Sequence, residues 1–194
     1  MSRILVVDDD DNILKALRRM LSIASCTAEG QTFKLAVDTF SSPQDALEKA
    51  RHTAYDLVLA DYRMPVMNGV QFLTALRKIQ PDAARVILSG YADLNGLIGA
   101  INEAGISRFM AKPWNDYELV AAIGQALAMR ELTRENQRLA DQVRLTAGAI
   151  SVEEIERRRL EAEEPGITHV NWGPDGSVLI DEALLDAPPP AAGR

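Results

Sequence analysis

The chain is 194 residues long, 47% of them hydrophobic, and carries a formal net charge of -7. This length exceeds one average domain without reaching two, and the apolar fraction permits a proper core. The acidic balance argues against a general nucleic-acid-binding surface, and the one cysteine, Cys26, cannot form an internal disulfide. No apolar stretch approaches the roughly 18 residues of a membrane span, and residues 1–3 lead straight into a strand instead of a signal peptide. We therefore expect a cytoplasmic protein without a membrane partner.

Five short apolar segments alternate with segments whose apolar residues recur at helical spacing. The predicted strands lie at residues 3–7, 34–39, 57–60, 85–89 and 108–111, and the predicted helices lie at 12–24, 43–52, 69–79 and 93–104. Pro81 and Gly105 mark helix exits. The alternation predicts an α/β fold built on an open parallel sheet.

Acidic residues follow two of these strands. Asp8 and Asp9 begin an acidic run after the first strand, and Asp61 follows the apolar residues 57–60. Ligands of open parallel sheets gather at the carboxyl ends of the strands, so the two acidic sites would form one negative pocket. Carboxylate oxygens suit Mg²⁺, which usually completes its coordination with water and phosphate oxygens.

Two later strands end in a hydroxyl and an ammonium group, on Ser89 and Lys112. Together with the carboxylates and a metal, these groups supply what phosphoryl transfer needs: a nucleophilic oxygen and donors that balance the charge of the equatorial oxygens. Each residue alone also fits a structural role: Asp8 and Asp9 at a helix N-terminus, Asp61 and Ser89 in turns, Lys112 on the surface. Their joint order at strand ends favours a phosphoryl-accepting aspartate.

The order Asp8-Asp9, Asp61, Ser89, Lys112-Pro113 resembles the receiver (CheY-like) domain of two-component response regulators, over residues 1–128. Residues 61–69, with the sequence DYRMPVMNG, resemble the family's segment after the phosphoacceptor. The resemblance implies a doubly wound five-stranded parallel sheet of the flavodoxin-like order 2-1-3-4-5.

The same resemblance implies the roles of the acidic residues. Asp61 would be the phosphoacceptor, receiving the phosphoryl group from a sensor histidine kinase or a phosphotransfer protein. Asp9, Asp61 and the backbone carbonyl of Arg63 would hold Mg²⁺, and Asp8 would act through water. The protein would be no enzyme in the ordinary sense, although a receiver promotes its own phosphotransfer and dephosphorylation.

The remaining roles also come from the resemblance. Lys112 would neutralise the phosphoryl oxygens, and Ser89 would move toward the new phosphate and let Phe109 rotate inward. The Lys112-Pro113 bond would be cis, for which proline lowers the penalty to roughly 0.5–1 kcal/mol. One departure from the family is residues 22–31, which make the first connection long. We expect them to lengthen the first helix or its following loop, beside the helix that docks the kinase.

A fifth helix is predicted beyond Asp116, and a heptad pattern continues it from Met129. One seam position holds Met129, Asn136, Val143 and Ile150, and the other holds Leu132, Leu139 and Thr146. The pattern favours a homodimer through a coiled coil in residues 129–164, within which a buried Asn136 would set the register. The competing interpretation is a long helix that folds back on the receiver.

Three further segments complete the chain. Ser151 and Glu154 form a capping-box pattern for a separate helix at 152–164. Residues 165–182 alternate around a Gly-Pro-Asp-Gly turn and predict a β-hairpin, whose apolar face with Trp172 should cover another surface. Residues 183–194 predict a disordered tail.

The leading hypothesis is a response regulator of a phosphorelay without a recognisable effector domain, whose output is a contact with an unspecified downstream protein. A magnesium-dependent aspartyl-phosphate phosphatase is the first alternative, but that class needs a second carboxylate where Arg63 stands. The second is a DNA-binding transcriptional regulator acting through residues 152–164. The glutamates around Arg157, Arg158 and Arg159 instead indicate ion pairs on a solvated helix.

Overall fold

A computed structural model describes residues 1–90, 104–148, 150–163, 167, 171–172 and 178–179. The strands are β1 (Ser2–Val7), β2 (Cys26–Ala28), β3 (Gln31–Phe33), β4 (Leu35–Phe40), β5 (Leu57–Asp61), β6 (Ala84–Gly90), β7 (Arg108–Lys112), β8 (Asn171–Trp172) and β9 (Val178–Leu179). The helices are α1 (Asp11–Ile23), α2 (Pro43–Ala50), α3 (Gly69–Ile79), α4 (Asp116–Thr146) and α5 (Val152–Glu163).

The main sheet has five parallel strands in the order β4-β1-β5-β6-β7. Because β4 is the second strand of this sheet along the chain, the order is 2-1-3-4-5, and the predicted fold class is confirmed. The central strands are buried on both faces, as parallel strands covered by helices must be. Successive residues of β1 show this: Ile4 and Val6 join one core cluster, and Leu5 and Val7 join the other.

Local signals account for the helix starts on this sheet. The Asp10 side chain accepts a hydrogen bond from the Asn12 backbone N–H and caps α1. Asn68 and Gln71 form a reciprocal capping box at α3. These caps satisfy backbone donors that have no partner within the helix. The helix predicted at 93–104 lies, except for Ala104, outside the described residues.

The long first connection differs from its prediction. Helix α1 ends at Ile23, and the extra residues form an antiparallel β-hairpin of β2 and β3. Glu29 and Gly30 both have positive φ, 48° and 76°, which is the geometry of a tight hairpin turn. The hairpin therefore replaces the lengthened helix or loop that we expected.

The hairpin packs on α4 through a close approach at Gly124. Cys26 is fully buried, and its thiol lies 3.6 Å from the Val120 carbonyl oxygen. A Cβ atom at Gly124 would lie 3.2 Å from the Cys26 sulfur and 3.3 Å from the Ala28 Cβ. The absence of a side chain at Gly124 thus lets the hairpin lie against the helix.

Helix α4 runs without interruption for 31 residues. Its first part is buried on the sheet, at Leu119, Ile123 and Leu127 among others, whereas residues 131–140 are all exposed. At about 1.5 Å per residue, the segment from 131 to 146 extends roughly 24 Å beyond the receiver. The helix does not fold back on the receiver.

Arg130 anchors α4 where it leaves the receiver. Its guanidinium lies 2.7 Å from the Asp56 carboxylate, and its Nε donates to the Asp82 carbonyl oxygen at 2.9 Å. Only 12% of the Arg130 side chain is exposed. Asp56 precedes β5 and Asp82 precedes β6, so α4 leaves from the amino-terminal edge of the sheet.

Helix α5 follows a short connection, and Arg158 contacts Asp141 of α4 at 3.8 Å. The Ser151 hydroxyl accepts from the Glu154 backbone N–H, as the capping pattern predicts. Strands β8 and β9 pair antiparallel within the predicted hairpin, while the rest of 165–182, apart from residue 167, and the predicted tail lie outside the described residues. Among the described helices, none is long and apolar enough to cross a membrane.

Candidate functional site

The acidic site lies where β1 and β5 end side by side. Val7 pairs with Ala60, so the residues that follow them, Asp8 and Asp61, emerge at the same edge of the sheet. Asp8 and Asp61 are 1% and 5% exposed, and Asp9 is exposed. One carboxylate oxygen from each of the three lies within 4.8 Å of the others. The three carboxylates could hold a divalent cation on the side of Asp9, where the cluster is open to solvent.

Lys112, at the end of β7, brings a positive charge to this cluster. Its Nζ lies 2.7 Å from Asp8 Oδ2 and also contacts Asp61 Oδ1. Two of the three carboxylates therefore share one ammonium, and Asp9 has no contact with it among those found. The cluster keeps a net negative charge that water reaches mainly at Asp9, and such a charge attracts a further cation.

Burial and charge shift the protonation of these groups in different ways. Burial raises the pKa of the Asp61 carboxyl, and the hydrogen bond from Lys112 limits that rise. Burial disfavours the charged form of Lys112, yet its hydrogen bonds to Asp61 and Asp8 raise the pKa of the ammonium overall. Asp61 is therefore a carboxylate whose charge the fold stabilises poorly without a further cation.

The loop after β5 is shaped around Asp61. The Arg63 backbone N–H donates to Asp61 Oδ2 at 2.8 Å, and the Gly69 N–H donates to the Tyr62 carbonyl oxygen at 2.9 Å. A Cβ atom at Gly69 would overlap the Asp61 carbonyl oxygen, so only glycine permits this approach of α3 to the strand end. The loop therefore holds the Arg63 backbone against the Asp61 carboxylate.

Ser89 and Phe109 lie on the neighbouring strands. Asp61 pairs with Leu88, which places Ser89 one residue beyond this register and beside Ala111. Ser89 is 1% exposed, and its hydroxyl donates to the Gly90 carbonyl oxygen at 3.3 Å. Phe109 is partly buried against the core cluster shared with α3. The Lys112-Pro113 peptide bond is cis.

The structure places the predicted dimerisation residues on the exposed part of α4. Met129, Leu132, Leu139 and Val143 are 64%, 57%, 46% and 68% exposed, and Asn136 is also exposed. They lie away from the acidic site, beyond the opposite edge of the sheet. Sequence reasoning did not assign a role to Arg130; its only local signal was a cation placed where the apolar face of the fifth helix ends.

Comparison with known proteins agrees with this geometry. The family model described as "Response regulator receiver domain" matches residues 4–124. The hydrogenase transcriptional regulatory protein HoxA of Bradyrhizobium diazoefficiens is 33% identical over 147 residues, which are 76% of this chain and 28% of that protein. The transcriptional regulatory protein PrrA of Mycobacterium tuberculosis is 34% identical over 131 residues, 68% of this chain and 52% of that protein.

A solved receiver domain gives the same result at the level of structure. The response regulator receiver domain protein of Clostridium thermocellum superposes with a TM-score of 0.59 at 31% identity, covering 69% of this chain and 99% of that one. The chain spans 28% of the length of HoxA and 52% of that of PrrA. The matched region contains all the strand-end residues described above. The chain belongs to the receiver-domain family of two-component response regulators.

Proposed function

We propose that Asp61 accepts a phosphoryl group from a histidine kinase or phosphotransfer protein, with Asp9, Asp61 and the Arg63 carbonyl holding Mg²⁺ and Asp8 acting on it through water. The observation that carries this proposal is a cluster of three carboxylates at the carboxyl edge of the sheet, two of which contact the Lys112 ammonium. One bound Mg²⁺ would neutralise the charge that Lys112 leaves uncompensated and shield the phosphoryl oxygens.

Three residues of the chain have separate roles in the phosphoryl transfer. An Asp61 carboxylate oxygen attacks phosphorus, the phosphorus–nitrogen bond of the donor histidine breaks, and its electron pair returns to the imidazole. The Arg63 N–H orients the carboxylate through its 2.8 Å hydrogen bond. Lys112 balances the charge on the transferred oxygens. A water later attacks the same phosphorus, the bond between phosphorus and the Asp61 oxygen breaks, and inorganic phosphate leaves. Asp61 is regenerated, so the receiver takes part in its own dephosphorylation.

Phosphorylation would change the site by adding roughly 1.5 to 2 negative charges. The Ser89 hydroxyl, which now donates to its neighbouring carbonyl, would turn to donate to a phosphoryl oxygen. Phe109 would then rotate into the space that Ser89 leaves, and the β6–β7 side of the receiver would change shape. The output of that change is a protein contact of the C-terminal extension, which we propose pairs two chains through α4.

Radiolabelled acetyl phosphate with Mg²⁺ tests the acceptor directly. We expect the whole chain to gain one label, and Asp61→Asn to abolish it, because the amide cannot act as the nucleophile. Treatment with hydroxylamine should release the label, since hydroxylamine cleaves acyl phosphates and leaves phosphoserine intact. This second readout distinguishes Asp61 from the neighbouring Ser89.

Two variants complete the design. Asp9→Asn should weaken labelling and shift its Mg²⁺ dependence to higher concentration, because it removes one metal ligand. Asp11→Asn, in the same acidic run but at the first turn of α1, is the matched control and should label normally. Hydroxylamine-resistant label, or full labelling of Asp61→Asn, would contradict the proposal.

The relatives' names make transcriptional control the other candidate output. In the described part of α5, however, the arginines are paired within the helix. Arg157 and Arg158 both contact Glu154, and Arg159 contacts Glu163. Cations already paired with carboxylates offer little to phosphate groups, so the geometry favours a protein contact.

A further inference from the structure

The apolar seam of α4, defined as Met129, Leu132, Asn136, Leu139, Val143 and Thr146, is left uncovered by the described part of the chain. Arg130, which faces the receiver, and Asp141, which α5 contacts, are eleven positions apart and therefore share a face after about three turns. Val143 lies two positions after Asp141, about 200° around the helix. Helix α5 thus lies on the side of α4 away from the seam.

The surface of the seam has the shape that a second helix requires. A shallow groove is lined by Leu139, Gln142, Val143, Thr146 and Ala147. The first four of these residues stand at positions i, i+3, i+4 and i+7. Four residues in this arrangement form the hole that receives one side chain of a facing helix in a coiled coil.

Asn136 favours one of the two directions, parallel or antiparallel, in which a second α4 helix could pack on the seam. It is the one residue with an amide side chain among the six positions of the seam. In a parallel in-register pair, Asn136 faces the same residue of the second copy, and the two amides hydrogen-bond to each other. In an antiparallel pair with full overlap, Asn136 faces Leu139 and Met129 faces Thr146. Each chain would then bury an amide against a leucine, and a buried polar group without a partner is costly.

We propose that the seam binds a second copy of this chain as a parallel, in-register coiled coil whose register is set by paired Asn136 side chains. This inference rests on the proposed pairing of two chains and specifies its geometry. The knob that enters the groove is then Val143 of the second copy. Valine at this seam position with leucine at the other is the combination that favours two-stranded parallel pairs.

The flanking positions and the receiver support the same arrangement. In the parallel pair Glu135 faces Ala140 of the second copy, so no like charges oppose each other across the seam.

A coiled coil of this length is marginal alone, because helix nucleation is costly. Here the receiver already forms the first turns of α4 and fixes them at Gly124 and Arg130, so only propagation remains.

Parallel pairing has a consequence for the two receivers. Both lie at the same end of the coiled coil, and each helix leaves from the sheet edge opposite Asp61. The two phosphoacceptor sites therefore remain open to a kinase while the receivers lie side by side.

Disulfide trapping on the whole chain tests the direction. In wild type the one thiol, Cys26, is buried, so the unmodified chain is the blank. The variant Val143→Cys brings two thiols together only in the parallel pair. A mixture of tagged Leu132→Cys and untagged Val143→Cys chains forms a mixed disulfide only in the antiparallel pair. We expect the Val143 product to exceed the mixed product by about tenfold or more, which corresponds to about 1.4 kcal/mol.

A third variant tests the role of Asn136. Asn136→Leu added to the same cysteine chains should keep the dimer and bring the two products toward equal yield, because the penalty against antiparallel pairing is gone. The inference is overturned if the mixed disulfide dominates in the chains that keep Asn136. It is also overturned if Asn136→Leu leaves the ratio of the two disulfide products unchanged.

Light scattering and Asp61 labelling on the same samples show which proposal fails: the parallel geometry, the pairing of chains or the phosphoacceptor role of Asp61. A dimer that traps antiparallel overturns only the geometry proposed here. A monomer overturns both this inference and the proposed pairing of chains, and loss of labelling overturns the phosphoacceptor proposal, whatever the cysteines report.

Discussion

At the scale of single residues, the proposed acceptor site holds carboxylates where burial disfavours their charged form. Asp8 and Asp61 are almost fully enclosed and share one ammonium. Such sites are typical of function, because a chain selected for stability alone would replace a poorly compensated carboxylate. Removing the charge of Asp61 should therefore change the free energy of unfolding of the metal-free receiver.

We expect Asp61→Asn to stabilise the metal-free protein at neutral pH by about 1 kcal/mol, the usual size of a single-residue effect. The pKa of Asp61 is raised in the folded state, so its charged form is disfavoured there and lowers stability above that raised pKa. The gain should shrink as pH falls from the raised pKa toward the ordinary aspartate pKa of about 3.9, and vanish below it. Urea unfolding in a chelator across this range measures it.

Asp11→Asn serves as the control for this measurement. Asp11 is exposed in the first turn of α1, where its charge complements the helix dipole. Its substitution should leave stability unchanged or slightly lower at neutral pH. A loss of stability in Asp61→Asn at neutral pH would show that the Lys112 contact outweighs burial.

At the scale of elements, the β2–β3 hairpin acts as a brace on α4. Its contact with the helix depends on Gly124, where a side chain would meet Cys26 and Ala28. The brace and the Arg130 contacts hold the helix at two points, one on its packed half and one at its exit. The two contacts therefore fix the direction in which the exposed half of α4 leaves the receiver.

We expect Gly124→Val to destabilise the receiver by about 1–3 kcal/mol, because added methyl groups at a packed contact force neighbours apart. The matched control is Ala121→Val on the exposed side of the same helix, which should cost less than about 0.7 kcal/mol from helix propensity alone. Urea denaturation followed by circular dichroism gives both values. Equal losses in the two variants would mean that the hairpin does not press on the helix.

At the scale of the whole molecule, the chain combines a receiver with a helix that extends beyond it. The seam residues are exposed, so they contribute little to the fold of the receiver, and we propose that they pair two chains. We expect the triple substitution of Leu132, Leu139 and Val143 by serine to leave the receiver folded and halve the mass measured by light scattering. The measurement is made with Mg²⁺, with and without beryllofluoride as a phosphate mimic.

A triple serine variant on the opposite side of the exposed half, at Arg134, Arg138 and Leu145, is the matched control. It changes helix propensity to a similar degree without touching the seam. This variant should keep the mass of the unmodified chain. If both triple variants, or neither, lose mass, the seam is not the contact between chains.

Particular elements show how far prediction from sequence reached. The strand-end positions of Asp8, Asp61, Ser89 and Lys112 were readable, because each residue ends or follows a short, largely apolar run of strand length. The hairpin was missed, because a three-residue strand leaves no periodic signal and its stability comes from packing on α4. Its turn at Glu29-Gly30 was the one local sign.

The sequence by itself determined the alternation of strands and helices, the residues at which the strands end and the heptad positions of α4, because these depend on local periodicity. Only the tertiary structure decided that α4 continues outward instead of folding back, and that α5 lies opposite the seam. Those outcomes depend on contacts between distant segments, Arg130 with Asp56 and Arg158 with Asp141. The chain specifies such contacts only once the sheet has brought their partners together.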